Sequence, residues 1–318
     1  MDTNNDGEIQ VSEAESVSFL NVSDKSISSL EGIQSFTNIE VLYCWRNPLT
    51  SLDVTQNPNL VTLFCYTTQL TSLDVSQNPN LGSLNVGLNQ LTSIDVTQNP
   101  NLTRLFGPSN QLTNIDVSQN PNLVWLDVGN NQLRELDLSQ NPGLVRLFCS
   151  NNEITSIDVS HCDYLVMVEV NNNQLTYLSI QNTPGDPNNP LGRMMAHNNP
   201  DLTCIQVEDV ERAYMSAEFC PAFWSWCKDA SAIFSENCSL STQDFNQISF
   251  TLYPNPTQDV LNIESQEPID RVRIYSINGS LIKETSSTST GISELPAGLY
   301  FARINIGGNS LTKKFVKY

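Results

Sequence analysis

The chain has 318 residues, 39% of them hydrophobic, with 34 Asp and Glu against 15 Lys and Arg and a net charge of −19. That acidity repels phosphate backbones and anionic lipid, so it excludes nucleic acid and membrane surfaces as partners, and no run of about 18 apolar residues exists to be inserted in a bilayer. The charge is uneven: residues 1–244 hold eight basic and 28 acidic side chains and residues 245–318 seven and six, so a domain boundary is expected where the balance changes. An exported chain begins with a basic and then apolar leader, whereas Met1 is followed by the acidic, polar stretch Asp2 to Glu8; the expectation is a mature form that has lost its leader.

The first predicted element is a loop. Residues 2–13 read DTNNDGEIQVSE, with Asp2, Asn4, Asp6, Glu8, Gln10 and Glu13 at spacings 1, 3, 5, 7, 9 and 12 and Gly7 at the sixth position. A hard cation needs short oxygen ligands at alternate positions, a glycine for the sharp turn and a closing carboxylate, and this pattern resembles the calcium loop of an EF-hand. The resemblance implies a structural Ca²⁺. The family's entering helix is missing and no paired hand follows, so a clamp on an N-terminal cap (1–16) is expected and not a sensor; the plain alternative is an acidic turn without metal.

From residue 17 to 202 the sequence repeats. Ile39, Leu60, Leu81, Leu102, Leu123, Leu144 and Leu165 open successive units of 21 residues. Each unit holds two LxxLxV-like phrases, such as Leu81-Leu84-Val86 and Leu91-Ile94-Val96, that alternate in and out like short strands. Parallel strands are therefore expected on both long sides of each coil. Asn89, Asn110, Asn131, Asn152 and Asn173 follow the first phrase, and Asn78, Asn99, Asn120 and Asn141 the second. Asn tolerates the left-handed region and bonds nearby backbone, so it suits a stacked corner; Pro58, Pro79, Pro100, Pro121 and Pro142 stiffen the second one. The array resembles the short bacterial leucine-rich repeat of IRREKO type, akin to internalins. It departs from that pattern at Thr68, at His161-Cys162-Asp163, and in an insertion from Pro184 to Pro190 that puts the ladder in doubt beyond about Ile180.

The two sides differ in their outward residues. On the second, Ser51, Ser72, Ser93, Asn114, Glu135 and Ser156 stand beside Asp53, Asp74, Asp95, Asp116, Asp137 and Asp158, a monotony expected of hydrated or hydrogen-bonded scaffold. On the first, the outward columns read Val41, Thr62, Ser83, Arg104, Trp125, Arg146, Met167 and Tyr43, Phe64, Asn85, Phe106, Asp127, Phe148, Glu169, with Trp45 and Tyr66 alongside. Aromatic rings and Arg are enriched at recognition hot spots. Tyr43, Trp45, Phe64, Tyr66, Arg104, Phe106, Trp125, Arg146 and Phe148 are thus the candidate ligand-binding residues; the competing reading is that the rings only cover one another.

Residues 203–238 are expected to cap the array, with an amphipathic helix from Val207 to Phe219 and apolar mass from Phe223, Trp224, Trp226 and Phe234. Cys204, Cys220, Cys227 and Cys238 allow three pairings; the nested one, Cys204 with Cys238 and Cys220 with Cys227, is the expected choice. Cys44, Cys65 and Cys149 fall on one inward position and read as core thiols, and Cys162 as a shielded one. Residues 239–248 read as a linker. Residues 249–318 give alternating apolar stretches divided by turns, hence a small β-sandwich. The tail carries Tyr253-Pro254-Asn255-Pro256, Val260-Leu261, Ile274-Tyr275 with Asn278-Gly279, Pro296-Ala297-Gly298-Leu299-Tyr300 and Lys313-Lys314-Phe315-Val316-Lys317. These resemble the C-terminal sorting domain of proteins exported by the type IX secretion system of Bacteroidota. The resemblance implies transit through the periplasm, recognition by that translocon, and a final place outside or on the outer cell surface.

The expected fold is mainly β, a leucine-rich-repeat solenoid followed by a small sandwich. The expected function is recognition or adhesion toward an extended protein or glycan ligand. A structural surface spacer and an accessory protein of a polysaccharide-utilisation system remain as alternatives. An enzyme fits poorly, because the chain has two His and lacks GxSxG, HExxH and a phosphate-cradling Gly loop.

Overall fold

The computed structural model describes residues 3–181, 191–217, 226–238, 250–265, 268–277, 280–306 and 309–318. The chain divides into two compact units, Met1–Cys238 and Ser239–Tyr318. Asp2, the 184–190 insertion, Phe219, Cys220, Phe223, Trp224, the 239–248 linker and Asn278-Gly279 lie outside the described residues.

In the first unit, helix α1 (Val11–Ala14) precedes the strands β1 (Phe19–Asn21), β2 (Val41–Tyr43), β3 (Thr62–Phe64), β4 (Ser83–Asn85), β5 (Arg104–Phe106), β6 (Trp125–Asp127), β7 (Arg146–Phe148), β8 (Ser156–Asp158), β9 (Met167–Glu169), β10 (Tyr177–Ser179), β11 (Arg193–Ala196) and β12 (Cys204–Gln206). Helix α2 (Val210–Ala217), β13 (Trp226–Lys228) and β14 (Ile233–Ser235) complete it. Among the described residues, one parallel sheet runs β1 to β7 and on through β9, β11 and β13, and a second joins β8, β10, β12 and β14. The register does not slip. Leu42, Leu63, Leu84, Leu105, Leu126 and Leu147 lie opposite one another and are fully buried. Each such side chain contributes about 1.5–3 kcal/mol of burial, and a slip of one residue would turn the whole column to water.

On the second side the expected parallel ladder is complete only where β8 begins. Earlier coils are tied there by one backbone bond each, such as Gln90 N to Leu70 O at 2.9 Å. Spacing is kept instead by asparagine side chains, as Asn99 Nδ2 donates to Val75 O at 3.0 Å and Asn78 O at 2.9 Å. Cys162 replaces this asparagine in the coil that contains β8, and its Sγ reaches Asn141 O at 3.6 Å.

The array does not lapse after Ile180. Leu191, Met194 and Ala196 repeat the buried phrase, β11 pairs with β9, and Asn199 Nδ2 bonds Val170 O and Ala196 O. Residues 203–238 accordingly continue both sheets through β12, β13 and β14, with α2 starting at Val210 and not at Val207. The disulfide Cys204–Cys238 is formed. Cys227 is also disulfide-bonded, while its expected partner Cys220 lies outside the described residues. Cys44, Cys65, Cys149 and Cys162 are free and buried.

The second unit holds β15 (Phe250–Tyr253), β16 (Val260–Ser265), β17 (Ile269–Ser276), β18 (Leu281–Thr285), β19 (Ser289–Gly291), β20 (Gly298–Ile306) and β21 (Asn309–Lys317). They form two antiparallel sheets, β15-β16-β19 and β18-β17-β20-β21, around Leu261, Ile274, Ala302 and Phe315.

Candidate recognition surface

Alternation along each strand places the candidate ring residues outward. Leu63 and Cys65, and Leu105 and Gly107, are buried on either side of Phe64 and Phe106, so turning a ring inward would expel a leucine. Parallel pairing then lines the outward positions in columns: Arg104, Trp125 and Arg146 in one, Tyr43, Phe64, Asn85, Phe106, Asp127 and Phe148 in the next.

The rings are half-buried because they cover one another. Tyr43 stacks on Phe64 at 5.0 Å, and Trp45 on Tyr66 at 5.3 Å. Trp125 meets Phe106 edge-on at 5.0 Å and Phe148 at 6.1 Å. Such pairs contribute about 0.5–1.5 kcal/mol beyond burial, which holds the rings against one another. The stacked pairs end at the coil of Ser83, Asn85 and Gly87. A Cβ on Gly87 would stand 3.0 Å from Pro108 Cδ, so a side chain there would push Pro108 back by a few tenths of an ångström.

Charge on this face departs from the rest of the acidic unit. Arg146 lies over the Trp125 ring at 4.5 Å and Arg46 over Trp45 at 5.4 Å. Among the described residues Arg46, Arg104 and Arg146 have no ion pair, whereas Arg193 binds Glu169 at 2.6 Å and Arg134 binds Glu153 at 3.0 Å. Asp127, set between Phe106 and Phe148, is held above the usual carboxylate range by burial, with the Glu169 charge adding to the effect and the Gly129 N–H opposing it. Sequence reasoning missed Phe19, 56% exposed and edge-on to Tyr43, although Phe19-Leu20-Asn21 shows the same alternation.

The aspartate column on the other side is committed to its own backbone. Asp74 accepts from Ser76 N, Asp95 from Thr97 N and Asp116 from Ser118 N, each at 2.9 Å. Those bonds lead in holding Asp74 and Asp95 below their ordinary value, with the Ser76 and Thr97 hydroxyls adding to them, and for Asp116 the Ser118 hydroxyl leads and the backbone N–H follows.

In the N-terminal loop, Gly7 takes φ 92°. Asn4 Nδ2 donates to Asp6 Oδ2 at 2.9 Å and Gln10 Oε1 at 3.1 Å, and Gln10 Nε2 donates to Asp6 Oδ2 at 2.6 Å, so three of the oxygen-bearing side chains converge. Glu8 donates its backbone N–H to Asp6 Oδ1 at 2.9 Å. Glu13 accepts from Thr3 N at 2.6 Å and from Gln10 N at 3.1 Å, closing a capping box on α1. Among the described residues no three His, Cys, Asp or Glu side chains form a metal cluster. The set mixes amides with carboxylates, donor types that a hard cation takes.

In the tail, Asn255 of the Pro254-Asn255-Pro256 segment accepts from Val316 N at 3.0 Å and donates to Lys314 O at 3.3 Å. Tyr300, two residues after Gly298 opens β20, donates to Pro296 O at 2.8 Å and stacks on Phe315. Lys313 lies 4.9 Å over the Phe250 ring. The motif residues therefore pin the last strand to the first.

Residues 251–318 match the family model described as a secretion system C-terminal sorting domain. No curated protein matches the chain by sequence. Among solved structures, internalin C2 from Listeria monocytogenes is similar over 63% of this chain and 84% of its own, with 23% identity and a TM-score of 0.50. The functional domain of InlJ from the same organism is similar over 97% and 92%, with 19% identity and a TM-score of 0.42. No helix among the described residues is long and apolar enough to cross a membrane. The chain is thus a leucine-rich-repeat solenoid of internalin-like fold that ends in a sorting domain for secretion, which implies a secreted or cell-surface protein.

Proposed function

We propose that this is a non-enzymatic recognition protein of a Bacteroidota bacterium, delivered by the type IX system, that binds an extended polypeptide along the aromatic outer face of the first sheet. The observation that carries this reading is the preorganised strip of rings and unpaired arginines from Tyr43 to Phe148. Strands about 4.8 Å apart repeat the contact along the solenoid axis, which suits a partner that also repeats. Several stacked or packed contacts sum where one would be too weak. The N-terminal loop serves as a structural Ca²⁺ clamp through Asp2, Asn4, Asp6, Glu8, Gln10 and Glu13.

The test compares the full chain with a Phe64→Ser, Phe106→Ser and Trp125→Ser variant for binding to extracellular proteins and to a glycan array. Protease-sensitive binding lost in the variant, with the fold kept by circular dichroism, is expected. Binding retained by the variant, or confined to glycans, would contradict the reading.

A further inference from the structure

One backbone feature recurs in every coil. The residue three past the strand (two past in the β11 coil) is left-handed at Asp24, Arg46, Thr67, Leu88, Ser109, Asn130, Asn151, Asn172 and Asn198, with φ between 53° and 58°. Asn adopts this region at low cost, whereas a β-branched or bulky residue is strained there. The last four of these coils use Asn and the first uses Asp; the four between use Arg, Thr, Leu and Ser. Backbone bonding does not account for the change, since Thr67 N donates to Gly87 O at 2.9 Å and Leu88 N to Pro108 O at 2.8 Å, just as Asn130 N donates to Ser150 O at 2.8 Å. The fold makes little use of the side chains: Arg46 packs over the Trp45 ring at 5.4 Å. Among the described residues neither the Arg46 guanidinium nor the Thr67 hydroxyl has a hydrogen-bond partner, and Leu88 is 56% exposed.

Strain that the fold does not use points to selection for contact with something else. The same coils carry the Trp45–Tyr66 stack, with Arg46 over its indole face at 5.4 Å. Charge names the partner's chemistry: residues 1–244 hold eight basic and 28 acidic side chains, and among the described residues Arg46, Arg104 and Arg146, on or beside the first sheet, are cations without ion pairs. An acidic segment is repelled elsewhere and directed here. We propose that the corner formed by Arg46, Thr67 and Leu88, beside the Trp45–Tyr66 stack, is a second contact line for an acidic polypeptide segment bearing apolar or aromatic side chains. This rests on the recognition role proposed above and names the partner's chemistry.

The probe is a fluorescein-labelled random copolymer of Glu and Tyr, with a Lys and Tyr copolymer and alginate as comparisons, titrated into the full chain. The wild type should bind the Glu copolymer and not the Lys one, and Arg46→Glu should weaken that binding by about tenfold or more. Thr67→Asn and Leu88→Asn should weaken it several-fold while raising the melting temperature by about 1–3 °C each, because they relieve strain as they remove contact. No binding of the Glu copolymer, equal binding of the Lys one, alginate bound as tightly as the Glu copolymer, or corner variants that bind like wild type would each overturn the proposal. If the corner variants bind normally and Phe64→Ser, Phe106→Ser and Trp125→Ser together do not, this inference fails and the recognition role stands; if all bind normally, both fail.

Discussion

Two asparagine side chains close most coils, and their work differs. Asn89 is satisfied on both ends, with Nδ2 donating to Cys65 O and Val86 O and Oδ1 accepting from Leu70 N. Asn99 only donates, and its buried Oδ1 finds no partner among the described residues. Asn99→Ala removes donors to Val75 O and Asn78 O, each of which keeps one backbone bond from Asn78 N and Leu81 N. The expected cost is therefore about 1–3 kcal/mol, read as a lower denaturant midpoint, while exposed Asn101→Ala should cost less than about 1 kcal/mol. Thr68 fills the asparagine position by donating to Cys65 O, a local rescue that the repeat pattern could not announce. Sequence reasoning did find the corner asparagines, but the left-handed residue is the one before the first-corner asparagine. Periodicity marks which side chain recurs and says nothing about which φ turns the chain. Asp127 gives a signed test. Its raised pKa means the folded state bears a charge at a penalty above that pKa and none once both states are protonated. Asp127→Asn keeps an oxygen for the Gly129 N–H, so it should stabilise at pH 7, and the gain should vanish as pH falls below the carboxylate range.

At the scale of elements, the outward columns were legible because alternation at period two leaves one choice once the leucines are inside. What the pattern could not give was ring geometry: stacking on one half of the strip and edge contacts on the other depend on rotamers. On the second side the parallel sheet begins at β8, and the sequence does not mark that start, since alternating phrases look the same whether coils are joined by backbone bonds or by Asn78 and Asn99 side chains. The N-terminal loop precedes α1, and the test of its metal is thermodynamic. Ca²⁺ binding only the folded state stabilises by RT ln(1 + [L]/Kd), so calorimetry should show heat for wild type and none for Asp2→Asn with Asp6→Asn, and chelation should lower the melting temperature of wild type alone. Equal heats in both proteins would remove the metal from the account.

At the scale of the molecule, charge asymmetry, repeat period and tail motifs each pointed to a solenoid followed by a sandwich. The continuation of the array beyond Ile180 was hidden by its altered spacing: Leu165 to Leu191 spans more than one period, yet Met194 still pairs with Val168. The central claim is that the acidic solenoid meets its partner through the first-sheet strip. Hydroxyl-radical footprinting of the full chain, free and bound to a captured protein partner, reads this directly. Oxidation of Tyr43, Phe64, Phe106, Trp125 and Phe148 should fall on binding while that of exposed Tyr164 and Tyr214, on other surfaces, stays constant. Unchanged oxidation along the strip with protection at Tyr164 or Tyr214 would contradict it.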